Sequence, residues 1–286
     1  MILIVPDRGR DPDRGRDILI LFMPRLVDTH CHLNFDDFDI DREKIIDQCS
    51  SKDIWIINVG VDYESSKEVI KLAEKYKKGI YASVAIHPHT VSKEKFDLNK
   101  FKELGKNKKV VAIGETGLDY AFCENDEKTQ ELQKKIFIRH LELAKELKKP
   151  IIIHSRRLFP EILDIIQNSK FKIQNSGPGV LHCYMGRWSY AQEYLKLGFY
   201  ISFNGLITYA RDYDKVIKNT PLERIMIETD SPYLVPDPVR EEKNKPRNTP
   251  LNVKYVAQKI AEIKQIPFEK VSSQTTKNAK KLFSIV

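Results

Sequence analysis

His30 and His32, one residue apart in the run Leu26-Val27-Asp28-Thr29-His30-Cys31-His32, turn both imidazoles to one side if the backbone is extended. Two neutral nitrogen donors then face one point, a rigid start to a metal site because a strand fixes the rings. Taken alone, such a pair is as readily an accident of a surface strand. Its meaning comes from recurrence: His87-Pro88-His89, Glu115, His154, His182 and Asp230 each stand at the end of a short apolar run. Of the seven histidines only His140 falls elsewhere, within an expected helix.

His30, His32, His154 and His182 with Glu115 and Asp230 form a donor set of imidazole and carboxylate that needs no thiolate, which suits Zn²⁺, Mn²⁺ or Mg²⁺. Six donors exceed what one tetrahedral ion takes, so two divalent cations are expected. Glu115 is the natural bridge, since a carboxylate has two oxygens to share and an imidazole one free nitrogen. Two cations about 3.5–4 Å apart polarise a phosphoryl or carbonyl oxygen and bring a water pKa towards neutrality. The expected reaction class is hydrolysis.

These residues need a scaffold that gathers them. From Leu26 onward, eight β-branched runs alternate with longer amphipathic segments: Leu26–His30, Ile54–Gly60, Ile80–Ile86, Val110–Glu115, Pro150–His154, Gly179–Cys183, Gly198–Phe203 and Arg224–Thr229. They are apolar almost throughout, the pattern of strands buried on both faces of a parallel sheet. Between them, Glu127–Lys148 shows the helical period most clearly, with Leu132, Ile136, Leu141, Leu143, Ala144 and Leu147 recurring at threes and fours. Eight strand-helix units predict an α/β fold, a (β/α)₈ TIM barrel, and such barrels carry their chemistry at the C-terminal ends of the strands. Residues 250–286 read as two further helices parted at Ile266-Pro267, the first closing the barrel and the second an additional C-terminal helix packing outside it.

The composition of the 286 residues, 41% hydrophobic and 31% charged, is that of a soluble globular chain, and no apolar stretch approaches the ~20 residues of a membrane span. A formal charge of +8 is a weak pointer to polyanionic partners. Cys31, Cys49, Cys123 and Cys183 lie far apart without Cys-x-x-Cys spacing, which argues against a zinc knuckle or disulfide framework and fits a reducing, cytoplasmic setting. The hexapeptide Pro-Asp-Arg-Gly-Arg-Asp occurs twice in tandem, at 6–11 and 12–17, with no apolar face to bury. Residues 1–22 are therefore expected to be a disordered extension, with 23–286 forming one metal-dependent hydrolase domain.

Several segments carry a family resemblance: Val27-Asp28-Thr29-His30-Cys31-His32-Leu33, Ile86-His87-Pro88-His89, Gly114-Glu115-Thr116-Gly117-Leu118-Asp119-Tyr120, Ile152-Ile153-His154-Ser155-Arg156, Gly179-Val180-Leu181-His182-Cys183-Tyr184, Ile227-Glu228-Thr229-Asp230-Ser231-Pro232-Tyr233-Leu234 and Arg247-Asn248-Thr249-Pro250. In this order they resemble the TatD family of metal-dependent deoxyribonucleases, within the amidohydrolase superfamily. The resemblance implies metal binding by His30, His32, Glu115, His154, His182 and Asp230, with Asp230 also orienting the attacking water and taking up its proton. It implies exonucleolytic hydrolysis of DNA phosphodiesters, on single strands or exposed ends. Arg156 and Arg247 are candidates to hold a phosphate through a guanidinium fork. His87 is expected behind the metal ligands, and Tyr233 either stacks on a base or packs the rim. Asp119 either caps a turn or touches substrate. Ala121-Phe122-Cys123 and the N-terminal repeat depart from the family pattern. An alternative keeps the centre and changes the substrate to an ester or amide, as in deacylation of D-aminoacyl-tRNA. A lactonase or dihydroorotase is disfavoured because Glu115 stands where a bridging carboxylated lysine is expected, and a binding module without catalysis is disfavoured because all six ligands are present.

Overall fold

The apolar runs pair edge to edge in chain order. In a computed structural model, which describes residues 25–169, 171, 177–244 and 246–286, the strands are β1 (Leu26–Cys31), β2 (Ile54–Val59), β3 (Ile80–Val84), β4 (Val110–Leu118), β5 (Ile151–Ser155), β6 (Gly179–Leu181), β7 (Tyr200–Phe203) and β8 (Ile225–Ile227). Every neighbouring pair is parallel and the order is β1 through β8. The seam between the first and last strands closes just past β8. Cys31 bridges to Ser231, His32 N–H donates to Ser231 O at 2.8 Å, and Asp230 N–H donates to His30 O at 2.8 Å. Buried Asp28 locks this seam, its carboxylate accepting the Thr229 N–H at 2.9 Å and the Thr229 hydroxyl at 2.5 Å. The expected (β/α)₈ barrel is the observed fold.

Helices α1 (Arg42–Ser51), α2 (Tyr63–Glu74), α3 (Leu98–Gly105), α4 (Glu127–Leu147), α5 (Phe159–Asn168), α6 (Trp188–Lys196) and α7 (Asp214–Asn219) follow strands β1 to β7 in turn, α3 after the His-Pro-His segment; α8 (Val253–Lys264) and α9 (Phe268–Phe283) follow β8. In α4 the Asp126 side chain caps the N-terminus through the Thr129 N–H, and Ile136, Phe137, Leu141, Leu143 and Ala144 are buried on one stripe. The helix stops at Lys148, which adopts the left-handed conformation two residues before Pro150.

Two apolar layers result. One fills the space between sheet and helices, with Ile46, Ile56, Val69, Phe101, Leu141, Ile162 and Ile260. The other lines the lower barrel interior, with Val27, Trp55, Ile57, Tyr81, Ile152, Val180, Tyr200 and Met226. The last helix differs in position from the sequence-based expectation. It does not lie wholly outside: Ala279, Leu282, Phe283 and the following Ile285 join the interior layer and close the barrel floor. Helical periodicity identifies an apolar face but not the surface it meets, and here that surface is the bottom of the sheet. The separation of α8 and α9 falls where expected, at left-handed Gln265 and Pro267. The expectation for residues 1–22 lies outside the described residues. Among the described residues, no helix is long and apolar enough to cross a membrane.

Candidate metal centre

The upper end of the barrel is polar, and strand alternation is what makes it so. On β1, His30 and His32 point the same way, and both Nε2 atoms face the barrel axis 3.2 Å apart. Glu115 Oε2 lies 3.3 Å from His30 Nε2 and 3.9 Å from His32 Nε2, and Asp230 Oδ1 lies 3.7 Å and 3.5 Å from the same two atoms. Donors about 2.0–2.1 Å from a tetrahedral ion are about 3.3–3.4 Å from one another, so this group of atoms has the spread of one coordination shell.

The other oxygen of Glu115 serves a second group. Its Oε1 lies 2.7 Å from His154 Nδ1 and 2.7 Å from His182 Nε2, and those two nitrogens are 3.2 Å apart. Glu115 therefore stands between two donor sets with one oxygen turned to each. It reaches that place because β4 passes unusually close to β5. Gly117 pairs with His154, and a Cβ on Gly117, at φ +150°, would meet the His154 carbonyl oxygen at 2.0 Å. Only glycine allows that approach.

Whether these residues fit cations is decided by where their other nitrogens go. His32 Nδ1 lies 3.0 Å from the Val59 carbonyl, an acceptor, so it carries the proton and Nε2 presents a lone pair. His154 Nε2 lies 3.2 Å from Asp119 Oδ2, which leaves Nδ1 as the lone-pair nitrogen facing Glu115. His182 Nδ1 faces Glu228 Oε1 at 3.4 Å, an electrostatic contact outside hydrogen-bond geometry. Three imidazoles thus have an acceptor behind them, the arrangement that orients histidine ligands and raises their basicity. His30 Nδ1 has no hydrogen-bond partner among the described residues, and its ring stacks on His182 at 4.0 Å. A ring of lone pairs around a carboxylate is repulsive unless positive charge lies among them. The donor set fits two divalent cations.

His87 is distinguished from these by the same reasoning. The His89 N–H donates to His87 Nδ1 at 3.1 Å, so the proton of His87 is on Nε2, 3.3 Å from Glu115 Oε1. His87 therefore offers the bridging carboxylate a donor and not a lone pair. His89 Nε2 holds Asp119 Oδ2 at 2.7 Å, and Gln133 of α4 accepts the Asp119 N–H at 2.9 Å while donating to Pro88 O at 3.1 Å. His140, the histidine outside the constellation, is a brace: fully buried on α4, its Nε2 accepts the Ile86 N–H at 3.2 Å.

Charge follows from burial and proximity. Burial alone would raise the Glu115 carboxyl, but His182, His87 and His30 bring it well below the usual carboxylate range. Asp230 is lowered in the same way, burial being outweighed by His32 and His30. His182 and His154 are pulled down by burial yet rise net, through Glu115 and Glu228 for the first and Asp119 and Glu115 for the second. In His30 and His87 desolvation wins, and His87 falls to about 4. The cavity keeps its carboxylates ionised and draws in positive charge. Side-chain exposure is 0% at His30 and 4% at Glu115 but 15% at Asp230 and 18% at His154, so water reaches the centre along the last two.

The candidate substrate contacts fall on the same rim. Arg156, just past β5, is exposed, has no carboxylate partner among the described residues, and lies over the Phe122 ring at 5.8 Å. Tyr233 is 55% exposed and edges against Phe35, whose ring stacks on His32 at 4.6 Å. Arg247 is already engaged: its Nη2 pairs with Asp41 and its guanidinium sits 4.5 Å over Phe38, which makes it a brace between the loop after β1 and the segment before α8. Sequence reasoning passed over Glu228 and left Asp119 unresolved between a turn cap and a substrate contact. Glu228 had a usable signal, since it directly follows the apolar run of β8 and stands two residues before Asp230.

Comparison with known proteins agrees with this geometry. Residues 27–284 match the TatD related DNase family. The uncharacterized metal-dependent hydrolase YabD of Bacillus subtilis is 39% identical over 264 residues, covering 91% of this chain and 99% of its own. YcfH of Escherichia coli K12, also an uncharacterized metal-dependent hydrolase, is 33% identical over 91% of this chain and 96% of its own. Among solved structures, the TatD homologue YJJV of Escherichia coli K12 superposes with a TM-score of 0.81 at 28% identity, covering 92% of this chain and 99% of that one.

Proposed function

The chain belongs to the TatD-related DNase family of metal-dependent hydrolases, and from that premise we propose that it hydrolyses phosphodiester bonds of DNA, working as an exonuclease on single strands or exposed ends. The observation that carries this reading is the two-sided placement of Glu115, with His30, His32 and Asp230 about one oxygen and His154 and His182 about the other. These residues would hold two divalent cations, Mg²⁺, Mn²⁺ or Zn²⁺. Bound there, the cations supply Lewis acidity to a phosphoryl oxygen and lower the pKa of a water.

The chain's own groups do the rest. Asp230, the more exposed carboxylate, orients the attacking water and accepts its proton. His87 keeps Glu115 in place through its Nε2–H. Arg156 neutralises the phosphate with a planar fork, and Tyr233 supplies an aromatic face for a base. The +8 charge of the chain favours a polyanion.

The test is one panel. Purified protein with Mg²⁺, Mn²⁺ or Zn²⁺ is given end-labelled single-stranded and duplex DNA, RNA and D-aminoacyl-tRNA, with Asp230→Asn as blank. Loss of labelled DNA ends that is absent in the blank, stopped by a chelator and restored by the cation, is the expected result. Cleavage of the aminoacyl ester with DNA left intact would sink this reading in favour of a deacylase.

A further inference from the structure

Of the large hydrophobic side chains exposed among the described residues, two are aromatic, Phe122 at 66% and Tyr233 at 55%. Both stand at the metal end of the barrel. A single exposed ring is ordinary on a protein surface; what sets these two apart is that both stand at the mouth that holds the donor set. Tyr233 rises three residues past Asp230, at the seam of β8 and β1, and leans on Phe35, which covers His32. Phe122 ends a single 3₁₀ turn after β4, and its ring sits 3.7 Å from the ring of His89. Through His89 Nε2 and Asp119 Oδ2 (2.7 Å), and from there to His154 Nε2 (3.2 Å), Phe122 rests on the second donor group. In a ring of eight strands in chain order, β4 and β5 lie half a turn from β8 and β1. The two aromatic surfaces therefore flank the Glu115 bridge from opposite sides, and the Arg156 guanidinium, without a carboxylate partner among the described residues, lies over the Phe122 surface.

The geometry points to Phe122 as a base-stacking ledge that, with Tyr233 across the mouth, seats one unpaired nucleotide on each side of the scissile phosphate. This inference rests on the DNA-hydrolysing reading and adds to it the side chains that hold the unpaired bases at the cut. Paired bases already use their faces in the duplex stack, so a base must leave it to lie on Phe122. Arg156, which lies over the Phe122 ring in the free protein, gives up that face to the base and turns its guanidinium to the neighbouring phosphate.

A cycle of protein and DNA changes tests it. Wild-type, Phe122→Ala and Phe122→Tyr proteins are assayed on a single-stranded oligonucleotide and on the same strand with an abasic residue beside the scissile phosphate. Phe122→Ala is expected to raise KM on the intact strand about tenfold, the order of one base–aromatic stack, with kcat changed less than about twofold. It is expected to match the wild type on the abasic strand on one side of the cut, and Phe122→Tyr is expected to behave as wild type. Equal effects of Phe122→Ala on both strands would show that the ring merely packs His89, and no effect on either would remove it from the substrate path; each overturns the ledge. Stacking is read separately as quenching of 2-aminopurine in a phosphorothioate-linked strand, quenching that Phe122→Ala should abolish. Quenching lost in Phe122→Ala without cleavage of either strand by the wild type would overturn the hydrolytic reading and leave the ledge standing. Quenching unchanged by Phe122→Ala overturns the ledge alone.

Discussion

Replacing Glu228 by Gln keeps the shape of the side chain and removes its charge. The side-chain oxygen that accepts the Cys183 N–H at 2.6 Å and faces His182 Nδ1 at 3.4 Å is retained, and the new amide nitrogen falls where Glu228 Oε2 has no hydrogen-bond partner among the described residues. The charge behind His182 is lost and a buried N–H₂ is gained. Two full charges 4 Å apart at an effective dielectric near 20 interact by about 4 kcal/mol. The imidazole carries a fraction of the charge of a cation bound to its other nitrogen, so the expected loss is roughly the 10- to 100-fold in affinity typical of a residue behind a histidine ligand, about 1.4–2.7 kcal/mol. That loss belongs to the site of His154 and His182, and the site of His30, His32 and Asp230 keeps its affinity. Competitive titration of Zn²⁺ against a chelating dye, fitted to two sites, reads both constants. The metal-free variant should be less stable than the parent, because His182, which Glu228 helps to hold protonated, loses one of its two carboxylates and the new buried N–H₂ meets no acceptor among the described residues. Equal weakening of both sites would refute the reasoning: Glu228 would then be a structural residue whose effect on the metal is indirect.

Glu115→Ala removes the bridge, so metal content measured by mass spectrometry after desalting should fall from two towards zero, not to one; retention of a single ion would show that the two donor sets are independent. Gly117→Ala forces β4 away from the His154 carbonyl and should cost at least the ~1–3 kcal/mol of an overpacked core, read from the urea midpoint; a midpoint equal to wild type would show that the strands part freely. Burial holds His140 at about 4, below its ordinary value, so the unfolded chain binds the extra proton as pH falls below about 6.5. Stability from this residue is complete above that value and lost on the way down to pH 4, about 3 kcal/mol in all. The difference in unfolding free energy between pH 7 and pH 4, measured on metal-free protein, should therefore shrink by about that amount in His140→Gln, and an unchanged difference would place the acid sensitivity elsewhere.

The barrel could be read from the chain because its strands are buried on both faces, and eight apolar runs with helical segments between them leave few other folds. The ends of the runs were less legible. β4 continues to Leu118, so Glu115 stands within the strand and not at its end; Gly114 and Gly117 on either side of it let the strand run close to β5. β6 and β8 are shorter than their apolar runs, and His182 and Asp230 project from the chain just beyond them. The six side chains proposed to hold metal were recognisable by type. What stands behind them was not, because Asp119 with His89, and Glu228 with His182, come together only through register and the crossing of α4 over the strand ends. For Arg247 the sequence could not show what the guanidinium meets in the fold, where Asp41 pairs with it and Phe38 lies beneath it.

The floor laid by Ala279, Leu282, Phe283 and Ile285 ties the rigidity of the upper end to the opposite extreme of the chain. A protein cut after α8 would keep every donor and every strand, but a column of solvent would stand directly beneath Trp55, Tyr81 and Tyr200. Those side chains share one apolar layer with the stopper, and so do Val27, Ile152 and Val180, on the strands that lead to His30, His154 and His182. Sequence changes near residue 280 are thus expected to reach the metal end of the barrel, although they lie at its far end.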